Sequence, residues 1–186
     1  MVVIMDQPWF RKLFGGPAKV PPENTQTRAD HGDPEAQFSL ASSYADREGT
    51  TPDDALAVHW FLKAANQNHA LAQLNLGIMF ADGRGVARDK AQGLFWIGKA
   101  ATQGHPAAQH DLGLRCRQAG FGKLPKDAVE SNLEAYKWLR LAASQGYRGS
   151  EAAFETVALI MTREEVIQAN QRTAEFVTAS AKHGQL

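Results

Sequence analysis

The sequence is poor in the groups from which most sites are built. One cysteine, Cys116, stands among 186 residues, so no intramolecular disulfide can form, which fits a reducing compartment. Neither charge is in excess, with 20 Lys and Arg against 20 Asp and Glu. A dedicated nucleic-acid binder needs a basic surplus to neutralise phosphates, and an anionic membrane surface asks for a polybasic handle; this chain offers neither. No apolar run approaches the ~20 residues that span a bilayer. The apolar start Met1-Val2-Val3-Ile4-Met5 is broken by Asp6, and Arg11 and Lys12 follow it rather than precede it. That is the reverse of a secretory signal, so the expected location is the cytoplasm.

Chemistry-bearing constellations are equally sparse. His31, His59, His69, His105, His110 and His183 form no zinc-spaced set with Cys116, and His105 and His110 lack the i, i+4 spacing of a helical metal pair. His69 and His105 fall at equivalent places just after a helix-ending residue, where a structural role at the turn is expected. Cys116 takes the place of a repeat aromatic and reads as a buried small hydrophobe. It lies within a helix rather than at the N-terminus that would activate a nucleophile. Gly83-Arg84-Gly85 lacks the Lys-Ser/Thr tail and the preceding strand of a phosphate loop. No enzyme activity, metal or cofactor is expected.

What the chain does have is repetition. Trp60 is followed by Ala64-Ala65 and Gln67, Trp96 by Ala100-Ala101 and Gln103, and Trp138 by Ala142-Ala143 and Gln145. A second series runs Ala36, Leu40, Tyr44, then Ala72, Leu76, Phe80, then Ala108, Leu112, Cys116. The i, i+4, i+8 spacing marks one face of a helix, so each unit holds two helices, A and B. Asn68, Gly104 and Gly146 stand where a left-handed residue ends helix B. The alanine pairs, with Gly77 and Gly113 on helix A, fit places where adjacent axes approach to ~8–10 Å. One helix pair cannot bury both its faces, and stacked pairs can.

The middle unit carries Gly83-Arg84-Gly85-Val86, Asp89, Ala91, Trp96, Lys99-Ala100-Ala101 and Gln103-Gly104-His105. These residues resemble the Sel-1-like repeat, a relative of the tetratricopeptide repeat. The resemblance covers about residues 33–147 as three units. Unit one departs at Ala41 and has Glu48-Gly49-Thr50-Thr51-Pro52 instead of the Gly-x-Gly-Val turn. Unit three departs at Cys116 and has six extra residues around Gly120–Pro125. The resemblance implies an all-α, αα-hairpin, right-handed superhelical solenoid of about three repeats. Residues 148–186 are expected to supply a capping helix pair, with Thr162 and Glu165 as a capping box and Val166, Ala169, Thr173 and Phe176 buried. Residues 1–32 read as an N-terminal segment. Within it, residues 15–34 form a linker, and Trp9, Phe10, Leu13 and Phe14 form a short apolar stripe. That stripe is read as a flap on the first helix pair, as a segment docking in a groove of its own or a neighbouring chain or on a membrane surface, or as unstructured chain.

In the tetratricopeptide superfamily, helix A lines the concave wall. With Leu40, Leu76 and Leu112 facing the core, Phe38 and Ser42, Leu74 and Ile78, and His110 and Leu114 are expected to project into the groove, flanked by Asn75, Asp111 and Arg117. The alternative for Leu74 and Ile78 is packing against neighbouring units. An apolar strip there suits a helix laid in a groove; Asn75 and Arg117 alone are too few for a carboxylate clamp. The resemblance, to bacterial Sel-1-like proteins that serve in signalling and complex assembly, implies a protein-interaction adaptor with a protein or peptide partner. A second expectation is self-association, with the N-terminal stripe occupying the groove. A third, β-lactam hydrolysis as in cysteine-rich relatives, sits poorly with one cysteine and no Ser-x-x-Lys tetrad.

Overall fold

The computed structural model describes residues 23–45, 53–122 and 124–182. Among them are nine α-helices and no strand. They are α1 (Glu23–Asp30), α2 (Pro34–Ala45), α3 (Asp54–Asn66), α4 (Ala70–Asp82), α5 (Lys90–Thr102), α6 (Pro106–Gly120), α7 (Pro125–Ser144), α8 (Ser150–Ala158) and α9 (Arg163–Lys182). Three A/B pairs, α2–α3, α4–α5 and α6–α7, follow the two repeating series. The apolar stripe at Trp9–Phe14 and the turn at Glu48–Pro52 lie outside the described residues.

Each helix begins and ends on a local signal. The Asp33 carboxylate accepts from the Glu35 and Ala36 N–H groups at the head of α2, and Asp53 and Asp89 do the same for α3 and α5. Two imidazoles take this part on helix A, as expected of turn histidines: His69 Nδ1 accepts from Ala72 N–H at 3.2 Å and His105 Nδ1 from Ala108 N–H at 3.4 Å. Since His69 Nδ1 accepts, Nε2 carries the proton and donates to Glu35 Oε2 at 2.9 Å. The B helices close on Asn68, Gly104 and Gly146, with φ of 69°, 86° and 72°, satisfying the last carbonyls through a left-handed residue.

The described residues divide into two compact units, one ending at Trp96 and the other beginning at Ile97. In the first, Leu40, Ala57, Trp60, Phe61, Ala64, Ala65, Leu76, Met79 and Trp96 form the core. Gly93 lets α5 meet α4 closely: a Cβ there would stand 2.8 Å from the Gly77 carbonyl. In the second unit, Leu133, Tyr136, Leu139, Val157 and Ala169 form the core, with Phe154 and Val166 packed against it. A Cβ on Gly113 would stand 2.6 Å from Leu139 Cγ, the close approach that a helix-interior glycine signals. The Thr162–Glu165 capping box is formed, with Thr162 N–H donating to Glu165 Oε2 and Glu165 N–H to Thr162 Oγ1.

One reading of the sequence needs correction. Residues 23–30 are not linker but α1, whose end mimics a B helix. Ala29 is buried and stands 36 residues before Ala65, and Gly32 has φ 93°. Without the marker tryptophan, this half-repeat shows no pattern. The six extra residues of unit three are taken up in helix. α7 runs 20 residues where α5 runs 13, and residues 121–124 alone separate α6 from α7. The added turns of α7 carry Glu130, which holds Arg172 of α9 in a two-pronged pair at 2.6 and 3.0 Å.

Candidate interaction surface

The helix-A positions proposed to face a partner divide into three groups. Leu74 and Asn75 are fully buried, so Leu74 does not line an open wall. The reason is local: Ala72 through Gly77 form an unbroken buried run on α4, which takes in the position two residues before Leu76. Phe38 and His110 are engaged in packing. Phe38 stacks on His69 at 4.7 Å and tilts against Phe61 at 5.8 Å. His110 Nδ1 lies 2.7 Å from Ser150 Oγ at the head of α8, its ring against Tyr147 at 5.1 Å. Burial lowers the His110 pKa, with Asp111 opposing. The remaining positions keep access. Ser42, Ile78 and Asp111 are half-buried, and Leu114 and Arg117 are exposed. Asp111 is paired with Arg115 at 2.7 Å.

Polar satisfaction singles out two of these residues. Among the described residues, the buried side-chain nitrogen and oxygen atoms without a hydrogen-bond partner are Ser42 Oγ, Asn75 Nδ2 and Asn75 Oδ1. Folded chains seldom leave such groups unpaired, and each exception calls for a reason. Both residues belong to the helix-A set read from the sequence.

The glycine turn of the middle repeat has a structural task. Gly85 (φ 68°) passes so close to α3 that an added Cβ would lie 2.2 Å from the Asp54 carbonyl oxygen. Arg84 Nη2 donates to Asp54 Oδ1 at 2.7 Å. Cys116 is half-buried rather than fully buried. Burial first, and then Glu134, push its thiol up to about 11, the wrong direction for a nucleophile.

A glutamine relay went unread in the sequence. Gln37, Gln73 and Gln109 are buried, and their amides donate to the carbonyls of Ala29, Ala65 and Ala101. The signal was the 36-residue recurrence of glutamine after Ala36, Ala72 and Ala108.

The Sel1 repeat profile matches residues 34–69, 70–105 and 106–147, the three helix pairs described above. The chain belongs to the Sel1 repeat family. Among the solved structures similar to it are the following two. One is c5321, a protective antigen present in uropathogenic Escherichia coli strains and displaying an SLR fold. It is 29% identical with a TM-score of 0.71, over 83% of this chain and 32% of c5321. The chain thus spans about a third of that protein's length. The other is a Sel1 repeat protein from Oxalobacter formigenes, 32% identical with a TM-score of 0.58, over 72% of this chain and 96% of the other. No curated protein matches the sequence. Among the described residues, no helix is long and apolar enough to cross a membrane.

Proposed function

We propose that this Sel1 repeat chain is a protein-interaction scaffold without catalytic activity, holding a segment of a protein partner against its helix-A faces. The observation that carries this reading is the match of three Sel1 repeats to the three helix pairs, with helix-A side chains of the sequence-read set left accessible: Leu114 and Arg117 are exposed on α6. On α4, Ile78 is half-buried and keeps access. The single cysteine favours a cytoplasmic site of action.

The test is capture from the native cell, identification of the partner, and titration of the purified pair. Ile78→Glu and Leu114→Glu are expected to weaken binding at least tenfold with helicity intact by circular dichroism. Phe95→Glu, at an exposed helix-B position, should leave it unchanged. Loss with Phe95→Glu and retention with the helix-A variants would move the working surface to helix B.

A further inference from the structure

One side of α9 is built into the second unit. Val166 and Ala169 belong to its core, and the Phe176 ring lies 5.1 Å from that of Trp138 on α7. A second row of apolar side chains runs along a different side of the same helix. Ile167, Ala174, Val177 and Ala181 are all exposed, Ile167 at 50% and Val177 at 42%. Their steps of seven, three and four residues are those of a seam between two helices. Asn170, which fills the gap in the row, is half-buried and accepts from Arg140. Leu159 and Ile160, more exposed still, stand in the turn that leads into α9.

An outer helix of a repeat stack keeps a polar face where it meets water. α1 does so, with Asn24, Gln26, Thr27, Arg28 and Asp30 exposed. α9 does not, and a contiguous row of exposed apolar side chains marks a contact surface.

Charge selects the occupant. Glu164 in the first turn of α9 and Lys182 in the last are both exposed. They lie 18 residues apart, which is about five whole turns, so they share one flank of the row. Against a second α9 running the opposite way, each Glu164 comes beside the Lys182 of the other copy. A parallel pairing sets like charge against like. The antiparallel alignment also sets Ile167 opposite Val177 and Ala174 opposite Asn170. Each contact is thus repeated by the two-fold axis, the self-complementarity that a closed dimer requires. The opposed helix dipoles favour the same arrangement.

We propose that the exposed face of α9 is a self-association surface on which two copies of this chain pair antiparallel, with Ile167 and Val177 in the seam and Glu164–Lys182 contacts at both ends. The Leu159–Ile160 turn of one copy then comes beside the tail of the other's α9. A face one helix wide is small for a specific interface, so the pair dissociates on dilution. On the interaction-scaffold reading, pairing gives one assembly two partner-binding surfaces.

The test is sedimentation of the full-length protein. Its mass is expected to rise from 20.3 kDa toward twice that value over a roughly hundredfold rise in concentration. Ile167→Glu and Val177→Glu, at exposed positions outside the core, should each weaken association at least about tenfold, with helicity unchanged by circular dichroism. Glu164→Lys and Lys182→Glu should each weaken it about threefold. An equimolar mixture of those two variants should associate more tightly than either alone, because the mixed pair restores both ionic contacts. A monomer mass at every concentration would overturn the proposal, even if a foreign protein were found to bind through Ile167. Association that survives Ile167→Glu and Val177→Glu would place the contact elsewhere and overturn it as well. A mixture no tighter than its components would overturn the antiparallel pairing.

Discussion

The Gln67 side-chain amide donates to Gln37 Oε1 at 2.8 Å, and Gln37 in turn donates to the Ala29 carbonyl at 3.0 Å. The same relay recurs in the second compact unit, where Gln145 donates to Gln109 Oε1 at 2.8 Å and Gln109 to the Ala101 carbonyl at 3.2 Å. One buried amide thereby uses its acceptor toward one B-helix end and its donor toward the preceding B helix. Each relay fixes the separation of successive pairs in a way that alanine packing, which is non-directional, does not.

Gln109→Leu keeps the volume but removes the acceptor for Gln145 and one of the two donors to the Ala101 carbonyl, which keeps the Gly104 N–H. A net intramolecular hydrogen bond contributes about 0.5–1.5 kcal/mol. Urea unfolding of Gln109→Leu should show a loss of that size with little change in slope. A stability equal to wild type for Gln109→Leu would mean that the relay is incidental.

Gly85 is irreplaceable for two independent reasons. Its φ of 68° belongs to the left-handed region, which costs an L-residue about 1–2 kcal/mol. A Cβ would also collide with the Asp54 backbone, which cannot move without uncapping α3. Gly85→Ala is therefore expected to destabilise by more than about 2 kcal/mol. Gly98, within α5, has open space around its missing Cβ, so Gly98→Ala should stabilise by up to about 1 kcal/mol. Thermal unfolding of the two variants reads both signs in one experiment.

The repeat register was legible because Trp, the alanine pair and the closing Gly or Asn recur at fixed distances, and each demands one environment. Trp60, Trp96 and Trp138 are all buried for that reason. α1 was not legible, since only Ala29 and the closing Gly32 survive of the B-helix pattern and neighbouring polar residues read as loop. The interaction face was only partly legible. Periodicity gives the direction of a side chain about its own helix, but what covers it depends on neighbours. Ile78 and Leu114 occupy the same place, two residues after Leu76 and Leu112, yet Ile78 is half-buried and Leu114 is 38% exposed. Nor could periodicity show that Glu130 and Arg172, 42 residues apart, would meet.

That last pair makes a prediction of its own. Glu130 is held below the ordinary carboxylate range chiefly by its hydrogen bonds from Arg172, which outweigh a small desolvation. The Glu130 side chain is largely exposed, so the pair contributes at most about 1 kcal/mol. Arg172→Leu should move the Glu130 carboxyl upward toward its ordinary value, seen by NMR titration, while the melting temperature changes little. The contribution has the depressed-carboxylate sign: present above the unfolded pKa and lost as pH falls through the folded one. A Glu130 titration indifferent to Arg172 would show that the two-pronged contact does not persist in solution.

His110 makes the contact between α6 and α8 sensitive to acid. Burial lowers its pKa below the ordinary histidine value of 6.5, and the nearby Asp111 only partly opposes this. The unfolded chain therefore takes up the proton first as pH falls, and stability must drop through that window. The contribution is fully present above about pH 6.5 and disappears as pH falls through the folded value. The bond to Ser150 concentrates the effect, because Ser150 is buried and its hydroxyl lies 2.7 Å from His110 Nδ1. Between pH 7.5 and 5 the wild type should lose melting temperature more steeply than His110→Leu. Hydrogen exchange should rise first at the head of α8. Parallel pH profiles for the two proteins would show that the imidazole titrates as freely in the folded chain as in the unfolded one.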